Sequence, residues 1–378
     1  PPRGAWPRPA RPHSVMARVT VWRGVMRAAV FTGHGEPLVV REVEEPEPDE
    51  TGVVVETEAC GVCRSDWHAW QGDPLWESRG FSEGHVFGHE PAGVVVDVGD
   101  EVESVREGDR VAVPFNLADG TCPSCRRDMS NLCDERIPLG LAPESPGAFA
   151  ERFHVPWADF NVVHLPDGIS PVEMAGLGCR FMTSFHGLVD RADVNGGDWV
   201  AVHGCGGVGL SAVHVADALG ANVVAVDLFD EKLSLAADLG AVETVNAERV
   251  DDMPEAVTAV TDGGADVSVD ALGIAETCRN SVRCLRKRGQ HLQIGLTSSA
   301  EGGEVSLPTD LMVAKELQFV GTVGMPRPHY DDIFRMIDHG KLNPTAIVSE
   351  TVSLERAPEL LDAMTDFETT GIPVIDEF

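Results

Sequence analysis

Two short runs of the sequence carry side chains of the types that bind a catalytic zinc ion. The first is Cys63–His68, with the sequence CRSDWH, and the second is Gly88–Glu90, with the sequence GHE. Zinc takes cysteine sulfur and histidine nitrogen as ligands, and a catalytic site leaves one position for water or substrate. Because hydroxyl, carboxylate and imidazole groups stand beside the cysteine, these runs predict an open zinc site with a path for protons.

A third protein ligand is needed, and Cys179 is the candidate that lies just before the predicted nucleotide-binding region. A ligand at this point would place the metal in a cleft between two domains. His85 is a rival ligand because it lies four residues before His89. Cys60 is interpreted as a packing residue, since buried free cysteines are common.

A second group of potential metal ligands follows the spacing Asp-x2-Cys-x2-Cys-x7-Cys. Three cysteines this close together are typical of a closed structural zinc site. A carboxylate in the first position is a harder ligand than a thiolate. We therefore expect this site to bind zinc more weakly than a site of four thiolates would. The predicted ligands are Asp119, Cys122, Cys125 and Cys133.

A glycine-rich loop predicts a dinucleotide site. The run Gly204–Gly209 has the pattern G-x-G-x-x-G between a predicted strand and a predicted helix, and Asp227 ends the next strand. The glycines let the backbone approach a pyrophosphate, and the acid would bind the ribose hydroxyls and repel a 2′-phosphate. NAD is therefore favoured over NADP. The alternative to a dinucleotide site is a glycine-rich turn that serves only the packing of helix against strand. The residues assigned to this site are Gly204, Gly206, Gly207, Val208, Gly209, Asp227 and Lys232.

The secondary-structure pattern that must position these residues changes near Gly168. Before it, β-branched runs separated by glycine, proline and acidic turns predict a β-rich domain. After it, strands alternate with helices, which predicts a doubly wound parallel sheet. The predicted strands are 28–31, 38–43, 53–58, 93–98, 110–113, 199–203, 222–227, 266–270, 291–294 and 373–375, and the predicted helices are 208–219, 231–239, 331–339 and 355–367.

Taken together, the motifs resemble those of the zinc-dependent medium-chain alcohol dehydrogenases over essentially all of residues 26–378. The resemblance rests on the runs 61–70, 88–93 and 178–179, on the cluster of three cysteines and on the glycine loop. It implies an α/β fold with two domains. These are a GroES-like β-rich catalytic domain, over 26–175 and 325–378, and a Rossmann domain with a doubly wound parallel sheet, over 176–324.

The resemblance also implies a role for each residue of the site. Cys63, His89 and Cys179 would be the catalytic zinc ligands, and Glu90 would be a carboxylate that approaches the metal during ligand exchange. Asp66 would orient His89. Ser65 and His68 would form the proton relay. Arg64 would be the cation that binds the pyrophosphate, and Phe115 would form an aromatic wall of the substrate pocket.

Two features depart from the family pattern. Asp119 stands where most relatives have a cysteine, and the run Gly371–Pro373 offers no basic residue where many relatives have one against the cofactor phosphate. The segment between Cys133 and Cys179 is short, as in the tetrameric microbial members. We therefore expect a homo-oligomer and favour a tetramer over a dimer.

These features predict reversible hydride transfer between an alcohol and NAD, which gives an aldehyde or a ketone. A polyol or sugar dehydrogenase of the same superfamily is the first alternative, although those enzymes commonly have a carboxylate where Cys179 stands. A cofactor-binding sensor without turnover is the second. Metal-free quinone or enoyl reductases are excluded if zinc binds.

The composition predicts the environment. The formal net charge is −32, from 29 basic and 61 acidic side chains. Self-repulsion of this size predicts a high-salt, halophilic environment, with an ordinary acidic protein as the alternative, and it disfavours nucleic acid as a partner. The nine cysteines are interpreted as thiols and metal ligands of a reducing, cytoplasmic compartment. No apolar run reaches the roughly 18 residues that a membrane span needs.

Residues 1–25 are rich in proline and arginine and show no hydrophobic pattern. They are interpreted as a disordered or upstream-translated extension, with Met26 as the expected true start of the protein. A transit peptide is disfavoured because proline opposes the amphipathic helix that such peptides form.

Overall fold

The computed structural model describes residues 24–298, 300–365 and 369–378, and the proposed extension therefore lies almost entirely outside the described residues. The first described strand begins at Val25. Among the described residues, none of the helices has the length and apolar character needed to cross a membrane.

A parallel sheet of six strands forms the centre of the second half of the chain, in the order β12-β11-β10-β13-β14-β15. All five of its pairings are parallel. Alternation of strands and helices produces this arrangement, because parallel neighbours need a crossover connection. The strands are β10 Trp199–His203, β11 Asn222–Asp227, β12 Ala241–Asn246, β13 Ala265–Asp270, β14 Leu285–Gln293 and β15 Gln318–Gly321.

A mixed sheet forms the β-rich region, in the order β16-β17-β3-β4-β5-β9, with β8 also paired to β3. Its last strand brings the end of the chain back to the first half, since Val374 pairs with Gly61. Two further pairs, β1-β2 and β6-β7, are separate. The strands are β1 Val25–Val30, β2 Val39–Glu44, β3 Val53–Gly61, β4 Glu90–Val98, β5 Arg110–Ala112, β6 Asn116–Leu117, β7 Ile137–Pro138, β8 Arg152–Val155, β9 Val163–His164, β16 Val348–Ser353 and β17 Ile372–Glu377.

Helices connect and cover the sheets. The helices are α1 Arg64–Gln71, α2 Pro74–Glu77, α3 Ala158–Asn161, α4 Pro171–Gly176, α5 Cys179–His186, α6 Gly207–Ala218, α7 Asp230–Asp238, α8 Met253–Val260, α9 Ala275–Arg283, α10 Thr309–Lys315, α11 Tyr330–Asp338 and α12 Ala357–Ala363. Four of them, α1, α5, α6 and α7, carry residues of the predicted site in their first turns. Helix α5 runs directly into a π-helical turn, Gly187–Arg191.

The predicted α/β architecture is confirmed, and the bounds of β10 and β11 coincide with those predicted. The helix predicted over 355–367 is shorter: a 3-10 turn, Leu354–Arg356, precedes α12, and residues 366–368 lie outside the described residues. The sequence pattern did not distinguish the 3-10 turn Leu354–Arg356 from the first turn of an α-helix.

Candidate active site

One buried carboxylate holds the two motifs of the first half together. Asp66 Oδ2 accepts a hydrogen bond from the backbone N–H of Cys63 at 3.0 Å, and Oδ1 accepts one from the N–H of Gly88 at 3.0 Å. Oδ1 also lies 2.9 Å from Nδ1 of His89. Because an ionised carboxylate only accepts, Nδ1 of His89 carries the hydrogen and Nε2 keeps its lone pair.

The lone pair of His89 faces a set of metal-binding atoms. Its Nε2 is buried and has no hydrogen-bond partner. The ligand atoms of Cys63, His89, Glu90 and Cys179 all lie within 4.8 Å of one another. Two sulfurs and one imidazole nitrogen, with a carboxylate beside them, form a donor set that suits zinc. A buried acceptor without a donor is costly, and a metal ion would satisfy it.

The two cysteines of this cluster share charge unequally. Burial alone would raise the pKa of Cys63, but the hydrogen bond with Cys179 and the charges of His89 and Arg180 hold it well below its usual value. The hydrogen bond to Cys63, together with burial, raises the pKa of Cys179. The charges of Asp66 and Cys63 raise the pKa of His89 against the lowering effect of burial, so a metal ion that binds Nε2 would displace a proton from it. The site therefore already favours the thiolate that binds a metal.

Glu90 is held away from open solvent by Arg180, which was not among the residues predicted from the sequence. Nε of Arg180 donates to Oε1 of Glu90 at 3.1 Å, and a second guanidinium nitrogen pairs with Oε2. The same side chain donates to the carbonyl oxygen of Val62 at 3.0 Å. Burial raises the pKa of Glu90 to about 7, against the lowering effect of Arg180. This carboxyl is therefore poised between charged and neutral forms near neutral pH.

A cleft with a volume of about 240 Å³ joins the metal-binding atoms to the glycine loop. Ser65 and His68 line it, as do Phe115 and Cys179. The ring of Phe115 lies edge-on to that of His89, with 5.7 Å between the centroids. The predicted relay and aromatic wall thus border the same cavity as the metal-binding atoms.

His68 has a partner that the sequence did not reveal. Its Nδ1 forms a short hydrogen bond with the buried carboxylate of Asp73, which precedes α2. Burial lowers the pKa of His68, although the hydrogen bond with Asp73 raises it. The imidazole of His68 is therefore oriented, and it stays neutral and able to accept a proton at pH values below its ordinary pKa.

The glycine loop leads from β10 into α6 and borders the same cleft. Gly204 has φ +92°, and a Cβ on Gly206 would meet nothing within 4 Å, so the backbone there is open to a ligand. A Cβ on Gly209 would collide with the carbonyl oxygen of Gly204, so helix and loop pack closely. Gly207 and Val208 also line the cleft. This cradle fits a pyrophosphate at a helix N-terminus.

Asp227 closes the other end of the cradle. Its Oδ2 accepts from the N–H of Cys205 at 2.6 Å, and its Oδ1 accepts from the N–H of Phe229 at 3.0 Å. Lys232 and Arg64 line the cleft together with Arg180. Lys232 Nζ lies 4.8 Å from the centroid of the Phe229 ring, and Arg64 donates to the carbonyl oxygen of Met364 at 2.7 Å.

The second predicted cluster also comes together. The ligand atoms of Asp119, Cys122, Cys125 and Cys133 lie within 4.8 Å of one another. Oδ1 of Asp119 is 3.2 Å from the sulfur of Cys133 and 3.8 Å from that of Cys125. This oxygen also accepts the N–H of Thr121 at 3.0 Å, so its position is fixed by its own turn. The donor set fits a closed zinc site with one carboxylate.

The rival residues lie elsewhere. Nε2 of His85 is 2.9 Å from the carbonyl oxygen of Gly140, and its ring packs against Phe87. Cys60 is fully buried, and its sulfur faces the carbonyl oxygen of Gly61 at 3.7 Å. Neither belongs to the metal-binding cluster, so the predicted preference for His89 and Cys63 agrees with their placement.

Comparisons with known proteins agree with the geometry. Residues 49–167 match the family described as the alcohol dehydrogenase GroES-like domain, and residues 207–339 match the zinc-binding dehydrogenase family. An alcohol dehydrogenase of Geobacillus stearothermophilus is 32% identical over 350 residues, which cover 92% of this chain and 97% of the relative. The chain belongs to the zinc-type medium-chain alcohol dehydrogenase family.

Two further relatives extend this similarity. An NAD-dependent alcohol dehydrogenase of Saccharolobus solfataricus is 31% identical and covers 93% of this chain, with 99% of its own length matched. The solved structure of an alcohol dehydrogenase from Thermus sp. ATN1 has a TM-score of 0.84 and 32% identity, over 93% of this chain and all of that one. The expected combination of a GroES-like domain with a Rossmann-type sheet is confirmed.

Proposed function

We propose that this chain is an NAD-dependent zinc alcohol dehydrogenase. Membership of the family supports this function. The observation that carries it is the shared cleft, where Cys63 and Cys179 border the same cavity as Ser65, His68 and the glycine loop. A metal-binding cluster, a proton acceptor and a dinucleotide cradle in one cavity are the parts that hydride transfer from an alcohol requires.

Each part has a residue-level task. When bound, zinc supplies the Lewis acid that lowers the pKa of an alcohol hydroxyl, and NAD supplies the hydride acceptor. Cys63, His89 and Cys179 would hold the metal, with Asp66 fixing the tautomer of His89. Phe115 would pack against the carbon chain of the alcohol.

Proton transfer falls to Ser65 and His68. The hydroxyl of Ser65 would take the proton of the substrate hydroxyl, and the imidazole of His68, which Asp73 orients, would release it toward solvent. The paired Glu90 and Arg180 would adjust the charge beside the metal ligands. A neutral His68 is the form that accepts a proton, and its lowered pKa keeps it in that form.

An assay of NAD reduction with a panel of alcohols tests this function. We expect turnover with short primary or secondary alcohols, and weaker turnover with polyols. Turnover with polyols alone would favour the polyol or sugar dehydrogenase, and the absence of turnover with bound NAD would favour the sensor.

We further propose that NAD is preferred over NADP. Asp227 supports this preference, because its carboxylate would repel a 2′-phosphate and accept hydrogen bonds from ribose hydroxyls. Lys232 and Arg64 would contact the ribose and the pyrophosphate. A lower KM for NADP than for NAD would contradict the proposal.

The second cluster is proposed as a structural zinc site. The close approach of Asp119 Oδ1 to Cys133 supports it. A count of one zinc ion per chain in the active protein would contradict this proposal.

We propose the domain limits of 26–175 with 325–378, and 176–324. The pairing of β17 with β3 supports them, because it returns the last segment to the β-rich sheet.

We also propose a homotetramer in preference to a dimer. The short segment between Cys133 and Cys179 supports it, and β15 is an edge strand whose Phe319 is exposed. Light scattering after gel filtration would measure the oligomer.

High salt and a cytoplasmic location complete the proposal. The net charge of −32 supports the first, because salt screens repulsion between the acidic groups. The cytoplasmic location is supported by the nine cysteines, none of which forms a disulfide in the described part of the chain. Full activity and stability in a salt-free buffer would contradict the halophilic proposal.

A further inference from the structure

A third cluster of metal-binding side chains lies outside the cleft, where the end of α5 meets the turn before α11. Nδ1 of His186 is 2.6 Å from Oδ2 of Asp190, and Nε2 of His329 is 3.1 Å from the same oxygen. The ligand atoms of the three residues lie within 4.8 Å of one another. They were not among the residues predicted from the sequence, because 139 residues or more separate His329 from the other two.

The surroundings of His329 indicate a cation. Its Nδ1 is 3.1 Å from Oδ2 of Asp332, so each ring nitrogen faces a carboxylate oxygen. A neutral imidazole carries only one N–H, and it can donate to only one of the two acids. The other nitrogen would then face an oxygen, lone pair to lone pair, unless a second proton or a metal ion lies between them.

The active site shares one part of this arrangement, the carboxylate on Nδ1 of a histidine. There, Asp66 binds Nδ1 of His89 and leaves Nε2 for a metal. In the third cluster, Asp332 binds Nδ1 of His329 and leaves Nε2 directed at Asp190. A carboxylate on the far nitrogen is the usual support of a metal-binding histidine.

We propose that His186, Asp190 and His329 bind a divalent transition-metal ion of the type that accepts imidazole and carboxylate, such as zinc. Bonds of about 2.0–2.2 Å in a tetrahedral arrangement place ligand atoms about 3.3 Å apart, so the pair His186–Asp190 would open slightly on binding. Side-chain exposures of 11% for His186, 28% for Asp190 and 25% for His329 leave the site reachable from solvent. Water would complete the coordination.

The ion would join two distant parts of the chain. His186 and Asp190 belong to the end of α5 and to its π-helical turn, and His329 ends the 3-10 turn Arg327–His329. A bridge between them would oppose their separation on unfolding, because an ion bound only by the folded state stabilises it.

Zinc titration of the zinc-loaded protein tests the proposal. After both cysteine clusters are filled and excess metal is removed, calorimetry should show one further equivalent of zinc per chain and a rise in Tm. His329→Gln and His186→Gln should each abolish this binding and the rise in Tm, because each removes one of the three protein ligands. His339→Gln, an exposed histidine just after α11, is the matched control and should behave as wild type.

Two results would overturn the proposal: uptake of no further zinc by the wild type, or equal uptake by the wild type and both variants. Because the readouts are metal binding and Tm, they are independent of the proposed alcohol oxidation, which a parallel assay follows.

Discussion

Asp66 binds Nδ1 of His89 at 2.9 Å while the Nε2 of the same ring is buried without a partner. Asp66→Asn would replace an acceptor by a group that can also donate, and the preferred tautomer of His89 would be lost. We expect zinc affinity at this site to fall about 10-fold to 100-fold. Competition with a chromophoric chelator measures the change, and unchanged zinc retention would contradict the assigned positioning role.

His68→Gln should slow alcohol oxidation mainly at low pH. Burial lowers the pKa of His68, so the wild-type imidazole stays neutral as the pH falls below its ordinary value and continues to accept the proton. At high pH the solvent itself can accept it. We expect a loss of about 10-fold or more in kcat at pH 6, and similar rates at pH 9. A pH profile with the same loss throughout would argue against a relay.

Arg180→Met should destabilise the protein, because it leaves the carboxylate of Glu90 buried without its partner. Losses of about 3–5 kcal/mol are typical for such a change. Burial already raises the pKa of Glu90 to about 7, and removal of Arg180 would raise it further. A folded-state pKa above the unfolded value means that stability is lost as the pH rises, so the variant should be worse at pH 8 than at pH 6.

Urea unfolding at both pH values measures this effect. The double variant Arg180→Met with Glu90→Gln is the control, since it removes the carboxylate that the single variant leaves buried without a partner. We expect it to recover most of the lost free energy at pH 8. No recovery would mean that packing, rather than charge, explains the loss.

His203 makes the fold sensitive to acid. Burial, with a contribution from the charge of His291, lowers its pKa to about 3. The unfolded chain binds the proton more readily, so stability falls as the pH drops through about 6.5. At pH 5 this costs about 2 kcal/mol, which His203→Gln should remove from the difference in unfolding free energy between pH 7.5 and pH 5. An unchanged difference would contradict the buried neutral imidazole.

Four of the six strands of the parallel sheet were predictable as local patterns, whereas the outer strands β12 and β15 were not predicted. Strands β10 and β11 are buried β-branched runs that end at the glycine loop and at Asp227, so periodicity and turn residues determine their bounds. Helix α1 was not predicted as a helix, since its sequence has no apolar period. Its first turn is instead stabilised by Asp66, which contacts Cys63 and Gly88 at once.

The metal-binding residues were predictable because cysteine and histidine at these spacings are typical of zinc sites and uncommon among residues that only pack. Their supporting residues were not predictable in this way. Arg180 pairs with Glu90 across 90 positions of the sequence, and the contact of Asp73 with His68 depends on the turn between α1 and α2. Charged pairs of this kind are formed by tertiary packing, and no local pattern indicates them.

The most direct test of the account is the initial rate of NADH formation from NAD and an alcohol by zinc-loaded wild type, Cys63→Ala and Cys60→Ala. Cys63 belongs to the metal-binding cluster, whereas Cys60 is buried in the adjoining strand and serves as the matched control. We predict that Cys63→Ala loses turnover and one bound zinc per chain, while Cys60→Ala keeps both. Turnover by Cys63→Ala at the wild-type rate would contradict the account.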